Sequence, residues 1–386
     1  MAGATDQSLT ASCSSQRYKY RMAEAGDDAG LRQLLVDTPM DGPIQVTLRC
    51  EPSYFDAAKV QGHDHRTIIA CDNRSQAVIG MGSRSVRNRF VDGQATPVGY
   101  LSGMRLHPLH RSGTLVARAF RSMRLLHDDG GANYYLTTIA AGNERATQSL
   151  SGGRARLPTY FRLGKYHTFV IPLRRRTKTQ SSPGLEIRPL QETEFPKLVE
   201  FLQQVGKPTL FFPCYNQEDF QGPDSTFRDL DRGNILTAWR GSQLVGTLAI
   251  WDQGGFKQSV VEGYRAGLQF ARHPFNMVAS LMDWPRFPAV GQELKTLFAA
   301  LPLVVEGDQE VFSRLLLAAS QHAKLNYPRF RSLLVGAFEL DPLFEICRRA
   351  SLYQYVTDVF LVYWDDQLEQ PQQFLGRNLY LELGCL

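Results

Sequence analysis

The stretch best equipped for chemistry runs from Gly99 to Met123, GYLSGMRLHPLHRSGTLVARAFRSM. Its first part reads as a strand, and the apolar spacing from Leu115 onward reads as a helix. Between them Arg111, Ser112, Gly113 and Thr114 make a turn at the helix start. Backbone N–H groups and partial positive charge gather there, so a pyrophosphate can be cradled. Gly113 has no Cβ to obstruct that approach, and Arg111 can add a charged contact. A second polar stretch follows the next strand, with Asn143 in TTIAAGNERA and Tyr160 in LPTYFRLGKY.

Other chemistries find less support. The histidine pairs His63-Asp64-His65 and His107-Pro-Leu-His110 have no third and fourth ligand nearby, so no metal is expected. Cys13, Cys50, Cys71, Cys214, Cys347 and Cys385 form no C-x-x-C pair, which argues against a zinc site and a disulfide framework. There is no G-x-S-x-G elbow and no G-x-G-x-x-G fingerprint, which sets aside a serine hydrolase and a dinucleotide fold. A net charge of +5 over 386 residues is mild, and no nucleic-acid surface is expected. No run of eighteen apolar residues occurs, and the first twenty are polar and serine-rich. A cytoplasmic chain without a membrane partner is therefore expected.

Positioning these residues takes more than one core, because 386 residues at 43% hydrophobic content suggest two domains. The polar run RRRTKTQSSPG, residues 174–184, reads as a linker between units 1–173 and 185–386. The two units repeat one another in order. Each opens with a strand ending in an arginine, Arg21 or Arg188, followed by an acidic amphipathic helix. Aligned on those arginines, Leu31, Leu34 and Leu35 fall opposite Leu198, Phe201 and Leu202, one helical stripe in each unit. Hairpins at 67–86 and 235–253 follow, then strands 99–107 and 294–305, helices 115–126 and 310–324, and buried strands 134–140 and 332–337. Another helix and a last strand, 167–172 or 355–364, complete each unit. The expected class is α+β, a mixed α/β sheet with helices on both faces. The aromatic stretches PTLFFPCY (208–215) and HPFNMVASLMDWPRFP (273–288) are expected to pack between the units.

Gly99 to Met123, with its proline, arginine and glycine-bearing turn, resembles the acetyl-CoA motif of the Gcn5-related N-acetyltransferases. The spacing departs from that family's R-x-x-G-x-G/A, since Gly113 is two residues after Arg111 and Leu115 replaces the last small residue. The resemblance implies two tandem acyl-CoA N-acyltransferase domains and acetyl-CoA, or another acyl-CoA, as co-substrate. It implies that Arg111, Ser112, Gly113, Thr114 and Leu115 hold the pyrophosphate and that a backbone N–H near Met104, Arg105 or Leu106 polarises the thioester. Asn143 matches the family's asparagine. Tyr160, with Gly164 four residues on, matches a tyrosine that a helix brings to the sulfur, where it protonates the departing thiolate. The segment SLSGGRAR, residues 149–156, then stands as an insertion. In the second unit Gly307 is flanked by Glu306, Asp308 and Glu310, which repel a phosphate, so only the first unit is expected to bind coenzyme A.

The expected activity is transfer of an acetyl or other acyl group to an amine on a small molecule or peptide. Its base must come from outside Gly99 to Arg111, where no carboxylate lies; Asp92 and Glu144 are nearest in sequence. Two other readings stay open, a non-catalytic acyl-CoA sensor and an interaction scaffold. A homo-oligomer stays open as well.

Overall fold

The structure is a computed structural model that describes residues 17–111, 115–129, 131–143, 157–173, 184–222, 224–364 and 370–386. The linker 174–183 lies outside the described residues. The strands of the first half are β1 (Tyr18–Met22), β2 (Ile44–Arg49), β3 (Asp64–Asp72), β4 (Val78–Val91), β5 (Gln94–Leu106), β6 (Tyr135–Ala140) and β7 (Thr159–Pro172). Those of the second half are β8 (Leu185–Pro189), β9 (Ile235–Arg240), β10 (Gln243–Trp251), β11 (Gln258–Tyr264), β12 (Leu297–Val304), β13 (Ser332–Phe338) and β14 (Tyr353–Tyr363). Helices α1 (Asp28–Asp37), α2 (Tyr54–Ala58) and α3 (Leu115–His127) belong to the first half. Helices α4 (Phe195–Gly206), α5 (Ala266–Leu281), α6 (Gln309–Asn326) and α7 (Phe344–Ala350) belong to the second.

The repeat read from the sequence holds at the level of single side chains. Arg21 grips Asp27 through both Nη atoms at 2.6 and 2.7 Å, and Arg188 grips Glu194 at 2.7 and 2.7 Å. Each carboxylate also accepts an amide at the start of its helical segment, from Glu24 or Gln191. The fork therefore fixes the angle at which the chain leaves its first strand and enters its first helix. Leu31, Leu34 and Leu35 on α1 and Leu198, Phe201 and Leu202 on α4 are all buried, and they meet in one core shared by the halves.

Twelve strands form one sheet in the order β1-β3-β4-β5-β6-β14-β7-β13-β12-β10-β9-β8. Its centre departs from simple concatenation. The last strand of the first half, β7, pairs antiparallel with β13 of the second, while β14 pairs antiparallel with β6 of the first. The exchanged strands also pair with each other along their length, from Tyr353 opposite Val170 to Tyr363 opposite Thr159. Each half thus takes its sixth strand from the other. A separate ribbon, β2 with β11, also joins the halves.

The segment 208–215 packs between the halves as its composition suggests. Phe211 and Phe212 are fully buried, and their backbones exchange hydrogen bonds with Phe90 at the end of β4, each at 2.8 Å. The segment 273–288 does not follow suit. Of α5, only Ala279 is buried.

Candidate functional site

The site begins with a defect in the sheet. β5 and β6 run parallel but pair only at Gly99 with Tyr135 and Tyr100 with Leu136, although both strands continue. Gly99 permits this close start, because a Cβ there would fall 2.0 Å from the Tyr135 ring. Beyond it side chains take over from the backbone. Thr137 Oγ1 donates to the Leu101 carbonyl at 2.8 Å, and the Tyr100 and Thr138 hydroxyls meet at 3.0 Å. The strands then diverge into a V.

On the other side of β5 the register with β4 slips. Ser102 opposes Ser83 and Arg105 opposes Met81, so Gly103 and Met104 drop out of the ladder as a bulge. Gly103 has φ +63°, a left-handed conformation that costs a glycine nothing. Its Cα packs on β4 so closely that a Cβ would sit 3.2 Å from Met81 Cε and 3.4 Å from Ser83 Oγ. A bulge at the mouth of a V leaves backbone amides out of the ladder. The sequence reading placed these amides at Met104 to Leu106 and missed Gly103. An isolated glycine inside a strand pattern is the signal that points to it.

After Leu106 the chain makes a short turn through Pro108–His110 and reaches α3. Arg111 is exposed, and its Nε donates to the Leu106 carbonyl at 3.2 Å. The Tyr20 hydroxyl donates to the Leu115 carbonyl at 3.0 Å, tying the first turn of α3 to β1. Ser112, Gly113 and Thr114 lie outside the described residues, as do Glu144 and the segment 149–156. Asn143 is exposed just beyond β6, where its amide closes a turn on Ala140. Met104 is exposed, and Arg105 and Leu106 are partly exposed. Arg105 donates to the Met104 carbonyl. Of the expected residues, Met104, Arg105, Leu106 and Arg111 stand on or just after β5 and Asn143 just after β6, at the end where the two strands part.

Tyr160 requires a correction. It lies on β7 opposite Val362 of β14, not on a helix. Its ring makes edge contacts with Phe120 of α3 and Phe360 of β14. Burial raises its pKa above the ordinary tyrosine range, so its hydroxyl keeps its proton. Thr159 to Pro172 contains many β-branched and aromatic residues, which favour the strand. Asp92, the other carboxylate near the motif, pairs with Arg377 at 2.8 Å. His107 and His110 stack edge to face at 5.7 Å, His110 meets the Tyr18 hydroxyl at 3.1 Å, and His63 faces Asp219 at 3.2 Å. Among the described residues there is no group of three or more potential metal ligands.

The second half repeats the geometry and closes it. β12 and β13 are parallel and pair only at Leu297 with Leu333 and Phe298 with Leu334. The register with β10 slips at Leu301 and Pro302, with φ +55° at Leu301. Here the chain's own segment from Leu379 onward lies against the opening. Glu382 Oε2 accepts from the Leu301 amide at 3.0 Å and from the Tyr380 hydroxyl at 2.6 Å. The Leu381 carbonyl accepts from Tyr166 at 2.8 Å. At the head of α6, Asp308 accepts from the amides of Glu310 and Val311 at 3.0 and 3.1 Å. An aspartate cap occupies the place where an anion would bind.

A cleft of about 400 Å³ opens beside this segment, lined by Asp252, Glu293, Lys295, Tyr327 and Phe330. It adjoins a chamber of about 80 Å³ whose wall includes Lys257, Leu383 and Leu386. The turn Leu383–Cys385 packs on the turn Lys59–Gln61, and Gln61 Oε1 accepts from Ser102 Oγ at 2.9 Å, one residue before the first bulge. A run of packed contacts therefore links the wall of the second-half cleft to the first-half bulge.

No family model matches the chain, and no curated protein matches its sequence. Solved structures do match its fold. One is the GCN5-related glucosamine N-acetyltransferase region of a fungal multi-domain GH3 β-N-acetylglucosaminidase, with TM-score 0.61 and 11% identity over 90% of this chain. The chain spans 38% of that protein's length. Another is the Saccharomyces cerevisiae N-myristoyltransferase with bound myristoyl-CoA, with TM-score 0.58 and 10% identity over 95% of this chain and 90% of that one. A third is a GCN5-related N-acetyltransferase from Sphaerobacter thermophilus, with TM-score 0.54 and 12% identity over 90% of this chain and 95% of that one. The fold is thus that of tandem Gcn5-related acyltransferase domains.

Proposed function

We propose that the chain is an acyl-CoA-dependent N-acyltransferase whose donor site is the V between β5 and β6. The observation that carries this is the two-pair parallel contact followed by the Gly103 bulge, with the start of α3 at the same end. A V open to one end admits the pantetheine arm as an extra strand would enter. The amides from Gly103 to Leu106, at and just past the bulge, then polarise the thioester carbonyl. Arg111 to Leu115, including Ser112, Gly113 and Thr114, hold the pyrophosphate at the helix start, and Asn143 flanks the arm. Tyr160, neutral at any ordinary pH, is the candidate proton donor to the leaving thiolate. The acceptor is an amine of a small molecule or peptide. The solved relatives, among them one with bound myristoyl-CoA, support acyl-CoA as the donor class.

A second reading, acyl-CoA binding without turnover, draws on the packing of Tyr160 between Phe120 and Phe360. Calorimetric titration of acetyl-CoA and myristoyl-CoA, with and without Arg111→Ala and Gly113→Val, tests the site. Binding at one site per chain that the variants abolish supports the donor site, and no binding of either thioester rejects it. Tyr160→Phe then separates the readings. An enzyme using Tyr160 loses turnover and keeps affinity, whereas a sensor keeps the same affinity and has no turnover to lose.

A further inference from the structure

We propose that the outward face of α5 lies on an anionic lipid surface. The face is built from one end of the helix to the other. Phe270 is 80% exposed, Met277 70% and Leu281 83%, and with exposed Pro274 they fall in one stripe at helical spacing. Exposed Val278 and Met282 widen it on one side. From Phe270 to Leu281 the stripe is about 16 Å long. A contiguous apolar patch on a convex helix is costly to leave in water.

The helix is firmly seated, so the exposure is not that of a frayed element. Asn276 Nδ2 donates to the Phe287 carbonyl and its Oδ1 accepts the Phe287 amide, both at 2.9 Å. Arg272 turns inward, donating to the Pro288 carbonyl and lying over the Tyr264 ring. Polar side chains and the Phe275 ring, packed on Phe287 at 4.8 Å, thus fasten the inner face while a row of apolar side chains points out.

Charge decides what covers it. The exposed ionisable groups between residues 265 and 292 are Arg265, His273 and Arg286. The acid in that span, Asp283, is held by Lys324 at 2.6 Å and Arg331 at 3.4 Å. Exposed Lys295 follows, while Glu293 is partly buried. Asp41 is the exposed acid on the neighbouring chain, close to the Arg265 end, where the Arg265 amide donates to Pro43. A second copy of this chain would bring like cations together across its axis, whereas anionic headgroups complement them. An amphipathic helix with cations at its margin lies in the plane of such a surface. None of the described helices is long and apolar enough to cross a membrane.

The proposal does not depend on the acyltransferase reading. Flotation of the full chain with vesicles of phosphatidylcholine, alone or with phosphatidylserine, tests it. The chain should float with the phosphatidylserine vesicles and much less with phosphatidylcholine alone. Phe270→Ser with Leu281→Ser, both at exposed positions, should lower the partition about tenfold or more. Arg265→Glu with Arg286→Glu should remove the preference for phosphatidylserine. No flotation, equal flotation on both vesicles, or flotation unchanged by the serine pair overturns the proposal. So does concentration-dependent self-association that the serine pair abolishes without any vesicle binding, which would assign the face to a second copy.

Discussion

The carboxylate of Glu382 accepts the amide of Leu301 at 3.0 Å, at the bulge of the second half that matches Gly103 in the first. Oxygen from the chain itself occupies the position where the first half is proposed to receive a thioester carbonyl. The two halves therefore offer a comparison within one molecule between a V filled by the chain's own carboxylate and one proposed to take a ligand.

Burial raises the Glu382 pKa from 4.5 to about 7, and among the described residues Oε1 of that carboxylate has no hydrogen-bond partner. A folded-state value above the unfolded one means that the native state binds the extra proton. Its stabilising contribution is then full below about pH 4.5 and is lost as pH rises toward 7. The size is on the order of 3 kcal/mol. Urea unfolding across that range should show the decline, and Glu382→Gln, which keeps an acceptor for Leu301, should flatten it. An unchanged slope in the variant would assign the pH dependence to other groups.

Gly103→Ala places a Cβ at φ +63° and against Met81 and Ser83. It should cost about 1–2 kcal/mol of stability, and Gly103→Val more. On the acyltransferase reading, thioester cleavage should fall further than acyl-CoA affinity, because the bulge amides are displaced and the helix start is not. Parallel losses in rate and affinity would argue that the bulge shapes the cleft without touching the carbonyl.

Thr137→Val removes the hydroxyl that joins β6 to the Leu101 carbonyl just past the last backbone pair. The expected loss is about 1 kcal/mol, with faster amide hydrogen exchange confined to β5 and β6. Exchange accelerating uniformly over the sheet would mean that the V has no independent opening.

The Arg21 and Arg188 forks should be equivalent. Each alanine replacement should cost about 0.5–1 kcal/mol, since both pairs are partly exposed. The two losses should add in the double variant, because the sites share no partner. Arg21 holds the Asp27 carboxyl below its ordinary range, and Arg188 does the same for Glu194. Both contributions are therefore present above the usual carboxylate pKa and lost as pH falls through the lowered values. Strong non-additivity would show that the forks communicate through the common core.

The sequence made the strand-ending arginines, the acidic helix starts and the α1 and α4 stripes legible, because helical spacing is local; the pairing of Arg21 with Asp27 and of Arg188 with Glu194 emerged only in the structure. The bulge was half legible: Gly103 is visible as a lone glycine, but its register slip depends on β4. Tyr160 was misplaced by analogy of spacing, although its own neighbours favour a strand. The role of Glu382 could not be read, since it acts on a bulge some eighty residues upstream through the path of the last segment. The exchange of β7 and β14 was equally hidden. The order of elements along the chain is identical whether a half keeps its last strand or lends it.

That exchange bears on what mutation can remove. A duplicated unit that loses its ligand is ordinarily free to decay and be deleted. Here deletion of the second half would strip β6 of β14 and β7 of both its partners, exposing rows of unpaired backbone groups until β7 re-paired with β6. The second half thus completes the sheet of the first, whether or not it carries any chemistry.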